Sequence, residues 1–358
     1  MLPKWFDDWN NARPMDIFGP AILIGAIGGA VVIAAMLASY GQPFATTSIQ
    51  TGPRGIGMEV VEFASRAPDP TIEGYVSSDP IPPEPGAQTA GEAYPDAEPL
   101  LADLSVENYD RLLAAMRSWT GIPDLLEDPD NYQSVVARRM IQMTQYINEE
   151  WDAHVNANAE VGVNCYTCHR GQPVPTNIWF RIDPVTRSTA GWSSVQNSAT
   201  AQSQFTSLPS DALYRYLFEY DIIAVHDLDS RVGDRPSDEG VATWQNAERT
   251  FSLMNYMSNS LGVNCVFCHN SRAFYDGGQV TPQWATASLG ISMVQDLNNE
   301  FLEPLGPEYP PHRLGPVYAD APKAACATCH KGWNKPLMGL NMTEDWPELV
   351  SEEPPVYE

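Results

Sequence analysis

From Ile17 to Tyr40 the chain has no charged residue, and Ala, Ile, Leu, Val and Gly dominate. A helix needs about 20 residues to cross the hydrocarbon core of a bilayer, so this stretch predicts a transmembrane helix. A cleaved signal peptide usually has a shorter apolar region, and the span is read as retained. Leu37-Ala38-Ser39 resembles the run before a lipidated cysteine, but Tyr40 stands where that cysteine would be. Residues 1–16 form a short amphipathic segment, and Lys4 and Arg13 fit a cytoplasmic N-terminus. Residues 41–100 hold ten prolines and show little helical or strand periodicity, which predicts an extended strap.

Helical patterning begins near Leu104, with Ser105 and Glu107 suited to a first turn. Between Pro129 and Gly162 no proline or glycine interrupts the chain, so a helix of several turns is expected there, starting near Asn131. A short helical run is expected near Ala212 to Tyr220. A longer one from about Val241 to Ser260 should stop at Gly262, a good left-handed cap. Thr281-Pro282 predicts another helix start, running through Met293 to about Leu302. The acidic tail TEDWPELVSEEPPVYE is expected to be peripheral. The fold class is therefore mainly α with much irregular structure. The expected order is an N-terminal segment (1–16), a transmembrane helix (17–40), a strap (41–100) and one domain (101–358).

Composition changes this picture through cysteine. All six cysteines, Cys165, Cys168, Cys265, Cys268, Cys326 and Cys329, fall in C-x-x-C-H motifs, read as CYTCH, CVFCH and CATCH. That motif is the attachment site of c-type haem: each cysteine forms a thioether to a vinyl group and the histidine is an axial iron ligand. Three covalently bound haem c groups are expected, with His169, His269 and His330 as proximal ligands. A zinc half-site or redox pair would not require a histidine directly after each pair. Covalent haem is attached outside the bacterial cytoplasm, so residues 101–358 should face the periplasm. The formal net charge of −25 disfavours a nucleic-acid partner and favours a basic protein partner, although it also serves solubility.

The opposite ligands are less constrained. Met254 precedes Cys265 by eleven residues, within reach across a helix–turn–helix, and is preferred over Met257. For the first haem the candidates are Met140, Met143 and His154. The Met254 spacing copied onto Cys165 selects His154, whereas the Asn131 helix allows Met140. Met293 competes with His154 for the third haem. On one helix Met140 and His154 would lie roughly 21 Å apart, so if both are ligands that helix bridges two haems. Val161-Gly162-Val163-Asn164-Cys165 and Leu261-Gly262-Val263-Asn264-Cys265 share Gly-Val-Asn-Cys, an internal helix–turn–haem-helix repeat.

The runs QTGPRGIGMEVVEF, VVARRMIQMT, GVNCYTCHRG, LGVNCVFCHN and CATCHKGWNKPL resemble the membrane-bound multihaem cytochrome c subunit of the purple-bacterial photosynthetic reaction centre, over most of residues 50–345. The resemblance implies a mostly helical multihaem domain on the periplasmic face that re-reduces the photo-oxidised bacteriochlorophyll special pair. It implies the ligand pairs Met140 with His169, Met254 with His269, and His154 with His330, and makes Met293 a packing residue. His226 and His312 match no ligand position. The implied partners are the L and M subunits, with H and the light-harvesting complex indirectly, and a soluble cytochrome c or high-potential iron–sulfur protein as donor.

The chain also departs from the family. Most relatives carry a fourth motif after the helix ending near Trp119, where this chain reads TGIPDLLEDPDN without cysteine. Leu113 stands where the family has a methionine ligand, and Trp284 lies near a position commonly basic. The reading is a three-haem variant of a four-haem subunit, an electron carrier rather than an enzyme, since six-coordinate irons leave no open position. Along it the Met254 haem would lie nearest the special pair and the Met140 haem outermost. The acids Asp124, Glu127, Asp128 and Asp130 become a candidate landing site for a basic donor. The rival is a membrane-anchored respiratory cytochrome serving quinol oxidation or a reductase. Such proteins place haem motifs closely spaced and right after the anchor, whereas 124 residues separate Tyr40 from Cys165 here.

Overall fold

The computed structural model describes residues 3–12, 18–39, 46–50, 59–63, 70–157, 159–182, 200, 202–203, 208–223, 244–274 and 276–357. The chain divides into two compact units, one of residues 1–49 and 61–66, the other of residues 50–60 and 67–358. In the first unit, α1 (Lys4–Asn11) is short and its Trp5 is exposed. It is followed by α2 (Phe18–Ser39), 22 residues without a charge. At about 1.5 Å per residue that helix is roughly 33 Å long, enough for a bilayer core. Gly19–Ala38 is long and apolar enough to cross a membrane by length and composition. Two segments of the strap, β1 (Thr46–Gln50) and β2 (Glu59–Phe63), pair as a two-stranded sheet. The sequence showed no strand period there.

The second unit is helical. α3 (Ala90–Ala93) is capped by Thr89. α4 (Val106–Thr120) starts at Ser105, whose hydroxyl accepts the Asn108 N–H, and stops at Gly121 in the left-handed region. α5 (Tyr132–Glu150) is capped by the Asn131 side chain. The expected single helix does not run on to His154: it breaks at Trp151 (φ −110°, ψ 23°), and α6 (Asp152–Val155) follows. Then come α7 (Cys165–His169), α8 (Ala212–Leu217), α9 (Trp244–Leu261), α10 (Pro282–Asp296) and α11 (Cys326–His330). α9 ends at Gly262, φ 66°, and α10 opens with Thr281 and Pro282 as expected. α10 continues into a π turn over Leu297–Leu302.

Ala137, Ile141, Thr144, Ile147 and Asn148 make a buried stripe on α5 at helical spacing. It runs between two apolar clusters. Ala137 and Ile141 join a cluster with Leu112, Met116, Trp119 and Trp346. Ile147 joins another with Leu213, Leu253, Met257, Met293 and Phe301. α5 therefore belongs to both halves of the domain.

The tail is not peripheral. Trp346 and Leu349 are fully buried, and Glu348 is 3% exposed. Trp346 meets Trp119 edge-on at 4.7 Å and its indole N–H donates to the Tyr75 hydroxyl at 3.0 Å. Arg111 stacks on Trp346 at 4.4 Å and donates to Glu348 at 2.5 Å. The acidic composition hid an apolar stripe that needed a partner on α4.

The Arg111–Glu348 side chains are 6% and 1% exposed, so removing one partner leaves a buried unpaired charge. Glu348→Ala should lower the unfolding free energy by about 3–5 kcal/mol. Glu219→Ala breaks the partly exposed Arg215 pair and should cost below about 1 kcal/mol. Urea unfolding midpoints of the two variants check the contrast.

Candidate haem sites

α7 and α11 are built alike. Each is one helical turn that spans its C-x-x-C-H motif and brings the cysteines, three apart, to one face. Thr167 Oγ1 accepts the Asn164 N–H at 3.1 Å, and Thr328 Oγ1 accepts the Ala325 N–H at 2.9 Å. Both turns end on a basic residue in the left-handed region, Arg170 (φ 50°) and Lys331 (φ 49°), each followed by a glycine at positive φ. The second motif differs: Cys265–Phe267 is a 3-10 turn, and Cys265 is exposed. The repeat visible in sequence links motifs one and two, whereas the local architecture pairs motifs one and three.

All six cysteines are free of disulfides. α7 and α11 meet at their second cysteines, with Cys168 Sγ and Cys329 Sγ 2.9 Å apart, and Lys331 Nζ donates to the Cys168 carbonyl at 2.7 Å.

The histidines suit iron ligation. His169 Nδ1 lies 2.8 Å from the Gln172 carbonyl, and His330 Nδ1 2.9 Å from the Trp333 carbonyl. A carbonyl only accepts, so each Nδ1 carries the proton and each Nε2 keeps its lone pair for a metal. Burial depresses the basicity of both rings, and His330 falls to about 4. They are neutral, the form that binds metal. Burial also lowers His269, against a weak opposing effect of the Phe274 backbone. Its Nδ1 has no well-aligned hydrogen-bond partner.

His154 and His330 face each other, with ring centroids 6.3 Å apart and planes at 71°. Two metal–imidazole bonds of about 2 Å each, plus the depth of each ring, make up that distance, so the spacing of the pair has room for one iron between the rings. His154 Nδ1 donates to the Thr286 carbonyl at 2.9 Å, and burial lowers its pKa. Gly290 closes the far side of the ring: a Cβ there would lie 2.5 Å from His154 Cε1. Neither Thr286 nor Gly290 was singled out from sequence. The available signal was a glycine inside a helical run, which costs up to about 1 kcal/mol relative to alanine.

The methionines divide by burial. Met257 and Met293 are both 8% exposed and packed in the second apolar cluster, and Met143 packs against it. Met254, one turn before Met257, is half-buried and packs against the same cluster, and Met140 is half-buried outside both clusters. His312 is exposed, and His226 lies outside the described residues.

Residues 121–130 fold back on α4, with the Arg117 side chain donating to the Leu125 carbonyl. Leu125 and Leu126 are buried and Leu113 packs on the first cluster. Asp124, Glu127, Asp128 and Asp130 are exposed, with Glu127 3.2 Å from Arg117. Trp284 is 38% exposed.

Known proteins match this chain along its length. The family model described as photosynthetic reaction centre cytochrome C subunit matches residues 41–350. A photosynthetic reaction center cytochrome c subunit from Roseobacter denitrificans is 60% identical, covering 100% of both chains. Proteins of the same description are 38% identical in Rubrivivax gelatinosus, over 92% of this chain and 90% of theirs, and 36% identical in Thermochromatium tepidum, over 89% and 79%. This chain belongs to the photosynthetic reaction centre cytochrome c subunit family.

Proposed function

We propose that the chain carries three haem c groups and passes electrons from a soluble periplasmic donor to the special pair of the reaction centre. Family membership makes it a membrane-associated electron-transfer subunit of that centre with covalently bound haem c. Bound haem supplies a reversible one-electron iron couple, whose potential depends on axial ligand and burial. The polypeptide holds and aims the ligands. Cys165 and Cys168, Cys265 and Cys268, and Cys326 and Cys329 provide the thioethers. Met140 with His169, Met254 with His269, and His154 with His330 provide the axial pairs.

The observation that carries this reading is the opposed His154–His330 pair, 6.3 Å apart with both Nδ1 atoms engaged by carbonyls. Met140 stands outside both apolar clusters, unlike Met143, and Met254 is less buried than Met257, which supports the other two pairs. With a residue pair to hold each haem, no iron position would be left for a substrate, which suits a carrier rather than an enzyme. α2 serves as a single membrane span, with residues 1–16 cytoplasmic, 41–100 a strap and 101–358 the periplasmic haem domain. The L and M subunits receive that domain, with H and the light-harvesting complex as indirect neighbours. Its acidic surface suits a basic soluble cytochrome c, and a high-potential iron–sulfur protein is the other donor class. Flash excitation of the assembled centre should oxidise the Met254 haem as the special pair is re-reduced. A special pair that recovers with no haem absorbance change overturns the reading.

Ligation gives two further tests. His154→Met should raise the midpoint potential of the Cys326/Cys329 haem, since methionine–histidine ligation lies above bis-histidine, and leave the Cys265/Cys268 haem unchanged in a redox titration. Gly290→Ala pushes a methyl group into the His154 ring and should perturb the low-spin EPR signal of that same haem, with the other two unaffected.

A further inference from the structure

Two buried asparagines make the same three-bond contact at corresponding places. On α5, Asn148 Oδ1 accepts the Val163 N–H at 2.7 Å, and its Nδ2 donates to the Val163 carbonyl at 2.8 Å and the Leu349 carbonyl at 2.7 Å. In the π turn after α10, Asn298 Oδ1 accepts the Ala324 N–H at 2.8 Å. Its Nδ2 donates to the Ala324 carbonyl at 3.0 Å and the Leu217 carbonyl at 2.9 Å. Val163 stands two residues before Cys165, and Ala324 two before Cys326. The asparagines are 6% and 0% exposed, so both backbone sites depend on them. At the second motif the equivalent Val263 N–H goes to the Ser258 carbonyl at the end of α9, a local bond.

The elements joined are those that carry axial ligands. α5 bears Met140 and leads into His154. α10 supplies the Thr286 carbonyl and the Gly290 floor that hold His154, and its π turn places Asn298 on the entry to His330. An inserted π residue redirects the side chains that follow it, and such turns recur at functional positions. His154 and His330 are thus both referred to one helix. We propose that Asn148 and Asn298 are positioning residues. Each ties one haem-attachment turn to the helix that holds or backs an axial ligand, and so sets the ligand geometry of that haem alone. This rests on the ligand pairs proposed above.

The test uses Asn298→Leu and Asn148→Leu in the membrane-assembled holoprotein. Haem-resolved redox titration, low-spin EPR and mass spectrometry of haem-bearing peptides are the readouts. Asn298→Leu should shift the midpoint and EPR signal of the Cys326/Cys329 haem only, and Asn148→Leu those of the Cys165/Cys168 haem only. The Cys265/Cys268 haem is the internal control. Equal shifts at all three haems, or lowered thermal stability with unchanged midpoints, overturn the proposal. If a leucine variant does not accumulate, Asn298→Asp keeps the acceptor for the Ala324 N–H and loses both donated bonds. It must give the same haem-selective shift, and its failure to do so overturns the proposal. A wild-type spectrum with no bis-histidine signal overturns the ligand pairs instead, and leaves the haem selectivity of the variants as a separate outcome.

Discussion

A neutral imidazole aimed through its Nδ1–H is the interaction that the haem domain depends on. Burying a charged imidazolium without a counter-ion is costly, so the apolar surroundings of His169, His330 and His154 lower their basicity. A carbonyl on Nδ1 then selects the tautomer whose Nε2 is free. Two of these carbonyls, from Gln172 and Trp333, come from the backbone three residues after the histidine. They are built by the turn that also presents the cysteines. The third, from Thr286, is delivered across the fold by α10. His269 has the local turn but no well-aligned carbonyl, in keeping with the more open second motif.

The close match between α7 and α11 has a mechanical consequence. Threonine caps, left-handed basic residues and asparagine clamps hold both turns, and the turns meet at Cys168 and Cys329. The first and third motifs are therefore held by like devices, each tied to its own helix, Asn148 on α5 and Asn298 after α10. The second motif is held differently: Val263 bonds the end of α9, and Thr281, at the start of α10, donates to the Phe267 and Cys268 carbonyls.

Outside the haem sites, the C-terminal tail closes the first apolar cluster. A buried ion pair such as Arg111–Glu348 is weak evidence for net stability, because desolvation offsets much of the attraction. Its geometry makes it specific: Arg111 also donates to the carbonyls of Ser78 and Asp345 and stacks on Trp346. The three contacts to the tail, at Asp345, Trp346 and Glu348, together fix its register.

The sequence by itself determined the three C-x-x-C-H motifs, because the cysteine pair and histidine of each are compressed into five contiguous residues. It also determined most helix starts and stops, because Ser105, Asn131, Gly262 and Thr281-Pro282 act on their own neighbours. The charge-free span of α2 was legible for the same reason. Its limits appear wherever two distant segments share a polar atom or a core. The break at Trp151 that turns His154 toward His330, the Gly290 floor, the burial of Trp346 and the pairing of motif one with motif three have no local signature. The shared Gly-Val-Asn-Cys pointed to a different pair of motifs. These features follow from which helices pack together, and only the tertiary structure decided that, because hydrogen bonds and apolar contacts between remote residues form only once the chain has closed on itself.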